Sequence, residues 1–233
     1  MSGIFIISAP SGSGKSTLVN EIRQIVPGLY FSISYTTRAP RGSETNGREY
    51  FFVSRPEFEE MLKKDEFLEH ADVFGNYYGT AKRFLREAKE KDHDLLLDID
   101  VQGAEQIKKK LPEAVSIFIL PPDRKTLESR LKKRSEDSPE VIDRRLATAT
   151  REIENYPKYD YILVNDRLEE STEGLRSVLL ASRLKRSGVP PSAAEREIIT
   201  GAERCRLENM RERVKQILDS FRKGDSATGV GSQ

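Results

Sequence analysis

Residues 9–17, Ala9-Pro10-Ser11-Gly12-Ser13-Gly14-Lys15-Ser16-Thr17, carry the strongest chemical pattern in the chain. Glycines at this spacing let successive backbone N–H groups wrap an anion with no Cβ in the way. A helix beginning near Lys15 would turn the positive end of its dipole toward the same anion. Lys15 can set a compact charge against β- and γ-phosphates, and the Ser16 hydroxyl can ligate Mg2+. The stretch matches a Walker A loop with Ala9 in place of the first glycine, a change that costs little if that position needs no left-handed backbone. We therefore expect nucleotide phosphates on residues 9–17. The loop by itself does not separate kinase, GTPase and motor ATPase.

Further groups could handle a second anion. Arg38 and Arg41 offer planar forks suited to phosphate oxygens, and Tyr50 and Tyr78 carry phenol donors. Asp98 and Asp100 fall at the carboxyl end of an apolar run, where ligands bind in open α/β sheets. Two acids there suit Mg2+, held directly or through water. Arg130, Arg134, Arg144, Arg145 and Arg151 cluster in a charged stretch and could neutralise charge on a transferring phosphoryl group.

The elements that must position these groups read as α/β. Gly3–Ser8, Asp94–Ile99, Val115–Leu120 and Tyr161–Val164 are apolar runs of the kind buried on both faces of a parallel sheet. Helices near 15–26, 101–110 and 168–185 alternate with them, which places helices on both faces of the sheet. Residues 32–80 break the rhythm with short alternating runs, a polar loop at 42–47 and a helix from about Pro56, as a small mixed lobe would. Residues 123–156 read as two charged helices with few large apolar residues, expected to be an exposed, mobile flap. Gly188-Val189-Pro190-Pro191 is a natural break.

Several separated segments resemble the guanylate kinases: 34–41 (SYTTRAPR), 47–52 (GREYFF), 67–69 (FLE), 75–80 (GNYYGT) and 98–103 (DIDVQG). The resemblance covers about residues 3–185. It implies a P-loop kinase fold with a parallel central sheet flanked by helices, an inserted mixed α/β GMP-binding lobe and a helical lid. It also implies an enzyme that moves the γ-phosphoryl group of ATP directly, in line and with Mg2+, onto GMP. The implied domain is a catalytic one at 1–188 (core 1–33 and 81–188, lobe about 34–80, lid about 124–156); the break at 188–191 and the small and polar composition of the tail set off a helical extension at 189–233, expected to be disordered from about 224. Arg38, Arg41, Tyr50 and Tyr78 would hold the GMP phosphate. Glu69 would accept from N1–H and N2–H2 of guanine, with Ser34 and Thr80 donating to O6. Adenine would bring a lone pair against Glu69 and be rejected. Asp100 would lie near the GMP base, and Asp98 with Ser16 would organise the metal; the residues alone do not divide the duties of the two acids. Arg134 and Arg145 would reach the transferring phosphates beside Lys15, with Arg130 and Asn165 on the adenine side. The family usually follows Arg134 with glycine, whereas Ser135 stands here.

Composition narrows the setting. Net charge is +1, from 39 basic and 38 acidic residues, so bulk charge argues for neither nucleic acid nor membrane as partner. The single cysteine, Cys205, allows no disulfide within the chain, and no run is long enough for a signal peptide or a membrane span, so a cytoplasmic protein is expected. His70 and His93 read as structural or surface residues, and Lys108–Lys110 as a solvated helix end. A terminal helix over 192–222 carries Leu207, Met210, Val214, Ile217 and Phe221 at 3-4 spacing. That stripe packs on the protein's own core, or else pairs two copies as a homodimer.

Overall fold

The computed structural model describes residues 2–73, 75–134 and 138–227. In chain order its elements are β1 (Ile4–Ser8), α1 (Lys15–Ile25), β2 (Leu29–Phe31), β3 (Tyr35–Thr36), β4 (Phe51–Phe52), α2 (Arg55–Lys63), β5 (Phe67–Val73), β6 (Asn76–Ala81), α3 (Arg83–Glu90), β7 (Asp94–Asp98), α4 (Val101–Lys110), β8 (Val115–Leu120), α5 (Arg124–Arg134), α6 (Pro139–Ile153), β9 (Tyr161–Val164), α7 (Leu168–Ser187), α8 (Ala193–Arg204) and α9 (Leu207–Ala227). The fold is α/β, with a parallel central sheet flanked by helices. The chain divides into two compact units, Met1–Ile7 with Val26–Ser116 and Ser8–Ile25 with Ile117–Gln233.

In the first unit β1 and β2 lie parallel on either side of β7, with Ile4 and Tyr30 both opposite Leu95. Phe5, Ile6, Leu95, Leu96 and Leu97 are buried, which is why these strands read as unbroken apolar runs. The same unit holds a four-stranded sheet in the order β4-β3-β6-β5. α2 starts on a capping box in which Ser54 and Glu57 satisfy each other's backbone N–H, with proline in the first turn.

In the second unit β8 and β9 are parallel, Ile117 opposite Tyr161. α1 packs on α7, and α7 ends at Gly188 with φ +68°, in the left-handed conformation glycine adopts without strain. The helical stretch beyond the break is two helices rather than one, parted at Cys205-Arg206. This corner covers the sheet's last strand: Ile162 N–H donates to the Cys205 carbonyl at 2.7 Å, and Arg206 lies over the Tyr161 ring. α9 packs on α5, α6, α8 and β9. Its Val214, Ile217 and Phe221 are buried within the chain, so the apolar stripe packs on the protein's own core. The disorder expected from about 224 falls partly on α9, which runs to Ala227, and otherwise on 228–233, outside the described residues; Ser135 is also outside them.

Phe221 is 1% exposed, so Phe221→Ala is expected to destabilise the chain by about 3–5 kcal/mol. Urea unfolding checks this, and an unchanged midpoint would mean that α9 is not part of the folded core.

The flap reading needs correction. Leu127 and Leu131 of α5, and Ile142, Leu146, Ala149 and Ile153 of α6, are all buried. Large apolar residues are sparse here, but their 4 and 4-3-4 spacing gathers them into one stripe per helix, and a stripe suffices to dock a helix. The lysine run is not simply solvated either: Lys108 Nζ donates to the carbonyls of Pro112 and Ala114, and Lys110 Nζ to that of Leu68. Among the described residues no helix is long and apolar enough to cross a membrane.

Candidate active site

A polar face of the first unit's four-stranded sheet follows from strand register. β3 and β6 are antiparallel, with Tyr35 opposite Gly79 and Thr36 opposite Tyr78; β4 runs parallel to β3, with Tyr35 opposite Phe51. One residue further, this register sets Ser34 beside both Thr80 and Tyr50. Glu69 of β5 lies opposite Thr80. Side chains alternate faces along a strand, so Ser34, Tyr50, Tyr78, Thr80 and Glu69 share one face. The other face is aromatic: Tyr35 stacks on Phe51 at 4.9 Å, Phe67 on Phe58 at 4.4 Å, and Phe67 meets Tyr35 edge-on. Phe67 and Glu69 would share a face in a regular strand. The register shift between them inserts one extra residue, so Phe67 joins the aromatic side while Glu69 joins the polar one.

Arg38 is 9% exposed and firmly held. Its Nε donates to the Tyr78 hydroxyl at 3.2 Å, its Nη1 to the Ala39 carbonyl at 2.7 Å and its Nη2 to both oxygens of Glu44 at 2.9 and 3.0 Å. The guanidinium also lies over the rings of Tyr50 and Phe52, and Tyr50 meets Tyr78 edge-on. Arg38, Tyr50 and Tyr78 thus form one contact group. The Arg41 side chain is exposed, while its backbone N–H donates to Glu44 at 2.8 Å.

Glu69 is 3% exposed, and burial pushes its carboxyl up to about 7. The neighbouring Thr80 and the charge of Lys110 oppose the rise, and the charge of Asp100 adds to it. Asp100 caps α4, accepting from the Gly103 N–H at 2.8 Å. A Cβ on Gly103 would overlap Glu69 Oε2 and lie 2.9 Å from its Cδ, so glycine is what lets the carboxyl settle on the first turn of α4. Asp98 ends β7, half-buried, opposite Ile7.

The phosphate loop belongs to the second unit from Ser8 onward. Gly12 and Gly14 have φ of +90° and +88°, which explains the glycines, and Ala9 is not among the residues with positive φ, so alanine fits there. Ser13 N–H closes a turn on the Pro10 carbonyl at 3.1 Å, and α1 begins at Lys15, so the positive end of its dipole falls at the loop. A Cβ on Gly12 would come within 2.8 Å of Leu131 and 2.9 Å of Leu127, so the loop packs directly on α5. From α6, Arg145 Nη2 donates to Ser11 Oγ at 2.9 Å. Arg130 is half-buried, with Nη1 shielded from water and lacking a hydrogen-bond partner, a group an incoming acceptor would satisfy. Arg134 closes α5, and its side chain is outside the described ones. The Asn165 amide reaches the loop itself, donating to the Ser13 carbonyl at 2.8 Å.

A family model described as Guanylate kinase matches residues 1–182. The chain belongs to the guanylate kinase family. A guanylate kinase of Koribacter versatilis is 63% identical over 226 residues, 95% of this chain and 97% of that protein. One of Escherichia coli strain K12 is 48% identical over 187 residues, 79% of this chain and 90% of the other. The crystal structure of guanylate kinase from Anaplasma phagocytophilum superposes with a TM-score of 0.65 at 35% identity, covering 77% of this chain and 85% of that one. Helices α8 and α9 lie beyond the residues the family model matches, and the Koribacter versatilis alignment is long enough to extend into them.

For a guanylate kinase, sequence reasoning missed Glu44 and Gly103. A buried arginine needs a carboxylate near it, and Glu44 lies three residues past Arg41 in a turn-forming loop; that was the available signal. Gly103 gave none, because its role is the absence of a Cβ beside a residue distant in sequence. Burial raises the Cys205 thiol to about 11, so it is an inert thiol.

Proposed function

We propose that the residues gathered above divide the guanylate kinase reaction, ATP plus GMP to ADP plus GDP, between a donor loop and an acceptor face. Arg38, Arg41, Tyr50 and Tyr78 take the GMP phosphate. Glu69 accepts from guanine N1–H and N2–H2, Ser34 and Thr80 face O6, and Asp100 keeps the first turn of α4 beneath the base reader. Residues 9–17 cradle the triphosphate, with Arg130 and Asn165 toward the adenosine side. A GMP phosphate oxygen attacks the γ-phosphorus, and the bond to the ADP oxygen breaks in line, with no covalent enzyme intermediate and no general base. Lys15, Arg134 and Arg145 neutralise charge on the group in flight.

Magnesium suits the donor set. The Ser16 hydroxyl opens α1 and the Asp98 carboxylate ends β7, hard oxygens of the kind Mg2+ takes while keeping waters and substrate phosphates as its other ligands. When bound, it shields the charge of the triphosphate oxygens. We place the enzyme in the cytoplasm, with small-molecule substrates and no nucleic acid or membrane partner, on its single cysteine and balanced charge.

The observation that carries the reading is the shared face of Ser34, Tyr50, Tyr78, Thr80 and Glu69, with Arg38 locked beside it. A coupled assay with ATP and a panel of monophosphates tests it: GMP is expected to be strongly preferred, and AMP used with comparable efficiency would defeat the base-reading assignment.

Glu44 holds Arg38 by its side chain and Arg41 by its backbone. Glu44→Gln is expected to raise KM for GMP about tenfold, with kcat and KM for ATP little changed, because a buried guanidinium loses its charged partner. A lower KM for GMP would mean instead that Glu44 competes with the substrate phosphate for Arg38.

A further inference from the structure

We infer that Asn165 is a positioning residue of the donor loop, holding the backbone at Ser13 and Gly14 in the shape that receives a triphosphate. Asn165 directly follows β9 and is 6% exposed. Its own N–H donates to the Leu120 carbonyl at 2.8 Å, continuing the β8–β9 ladder one residue beyond the strand. The side chain therefore leaves a backbone position still held by the β8–β9 ladder.

Its Nδ2 donates to the Ser13 carbonyl at 2.8 Å. In a trans peptide the carbonyl and the following N–H point in opposite directions. Fixing the Ser13 carbonyl on Asn165 thus aims the Gly14 N–H away from Asn165. Ser13 is pinned on its other side as well, by its N–H on the Pro10 carbonyl.

A second observation is independent of that bond. A Cβ on Gly14 would overlap Asn165 Nδ2 and lie 3.5 Å from its Cγ. The amide therefore lies where any other residue at 14 would put its side chain. Glycine at 14 with φ +88° and asparagine at 165 are one steric unit, 151 positions apart in the sequence. This goes beyond contact with adenine, since the amide acts on the backbone that holds phosphates and would serve any triphosphate.

The inference rests on residues 9–17 being the donor site, and the test separates the two. Asn165→Ala and Asn165→Asp are compared with the parent enzyme in steady-state GMP phosphorylation, with magnesium tripolyphosphate as a competitor of ATP. For Asn165→Ala, the tripolyphosphate Ki and the KM for ATP are expected to rise together by about fivefold to tenfold, the size a lost buried hydrogen bond carries. The KM for GMP should stay within about twofold, since the acceptor face belongs to the other unit. Asn165→Asp should be worse than Asn165→Ala, because a carboxylate oxygen would face the Ser13 carbonyl; if it does not fold, Asn165→Ala decides alone. An ATP KM that rises with an unchanged tripolyphosphate Ki would reduce Asn165 to an adenine contact and overturn the inference. An equal rise in the KM for GMP would overturn it too, as general loss of structure. A parent enzyme that tripolyphosphate does not inhibit would sink the donor-loop reading itself.

Discussion

Lys15→Ala is expected to lower kcat for GMP phosphorylation by at least about a hundredfold to a thousandfold, while GMP still binds with an affinity within about twofold of the parent. Lys15 opens α1 directly after Gly14, which with Gly12 has the positive φ that shapes the loop. Phosphoryl transfer leaves little covalent chemistry to the protein, so positioned positive charge does most of the work. Removing one preorganised group at a site of developing charge costs about 2.7–4 kcal/mol, which is that range of rate. GMP binding should be spared because Arg38, Tyr50, Tyr78 and Glu69, the groups proposed to hold GMP, all belong to the other compact unit. Lys15→Arg should not restore the rate, since a broad planar fork does not replace a compact ammonium at the mouth of a tight loop. A coupled assay gives kcat and calorimetry gives the GMP affinity. A kcat within tenfold of the parent would remove Lys15 from the chemistry, and a parallel collapse of GMP binding would mean the substitution had damaged more than the donor loop.

The glycines of the donor loop show how sequence becomes legible. Gly12 and Gly14 could be read as phosphate-loop residues because their backbone requirement is local, and the structure gives both a positive φ. The buried strands were legible for a related reason: continuous Ile, Leu and Phe runs have no other stable home in a chain this polar. What stayed hidden depends on pairs far apart in sequence. The extra residue between Phe67 and Glu69 sends two positions of equal parity to opposite faces, and periodicity alone assigns them to the same one. Gly103 against Glu69, and Gly14 against Asn165, are contacts defined by a missing atom, which no residue pattern announces. Helices α5 and α6 are a different case. Counting apolar residues in 123–156 suggested exposure, whereas their spacing was the informative quantity, as the burial of Leu127, Leu131 and Leu146 shows.

As the proposed base reader, Glu69 should make GMP recognition depend on pH in a direction that can be worked out. In the free enzyme burial holds its carboxyl at about 7, so at pH 6 it is mostly protonated. A protonated carboxyl turns an O–H toward guanine donors, and only the anion accepts from both N1–H and N2–H2. Binding therefore requires loss of a proton below about pH 7 and none above it. Affinity for GMP should climb by up to about tenfold per pH unit as pH rises toward 7, then level off. The second ionisation of a phosphate monoester falls near pH 6 and adds its own slope, so Glu69→Gln is the control. That variant should keep the phosphate contribution, lose the part near 7, and bind GMP about a hundredfold to a thousandfold more weakly, because two charge-assisted hydrogen bonds are lost. Stability runs the opposite way. The folded-state value lies above the unfolded one, near 4.5, so the folded chain holds the extra proton between them; this stabilisation is complete below about 4.5 and is lost as pH rises through about 7. Over the whole window the group contributes roughly 3 kcal/mol, which Glu69→Gln should lack. On the proposed assignment the enzyme keeps, at neutral pH and before GMP arrives, a buried charge that works against its own fold and would be relieved when guanine supplies two donors. Calorimetric GMP titrations and urea unfolding between pH 5.5 and 8.5 read both effects, and identical pH profiles in parent and Glu69→Gln would exclude Glu69 as the group that reads the base.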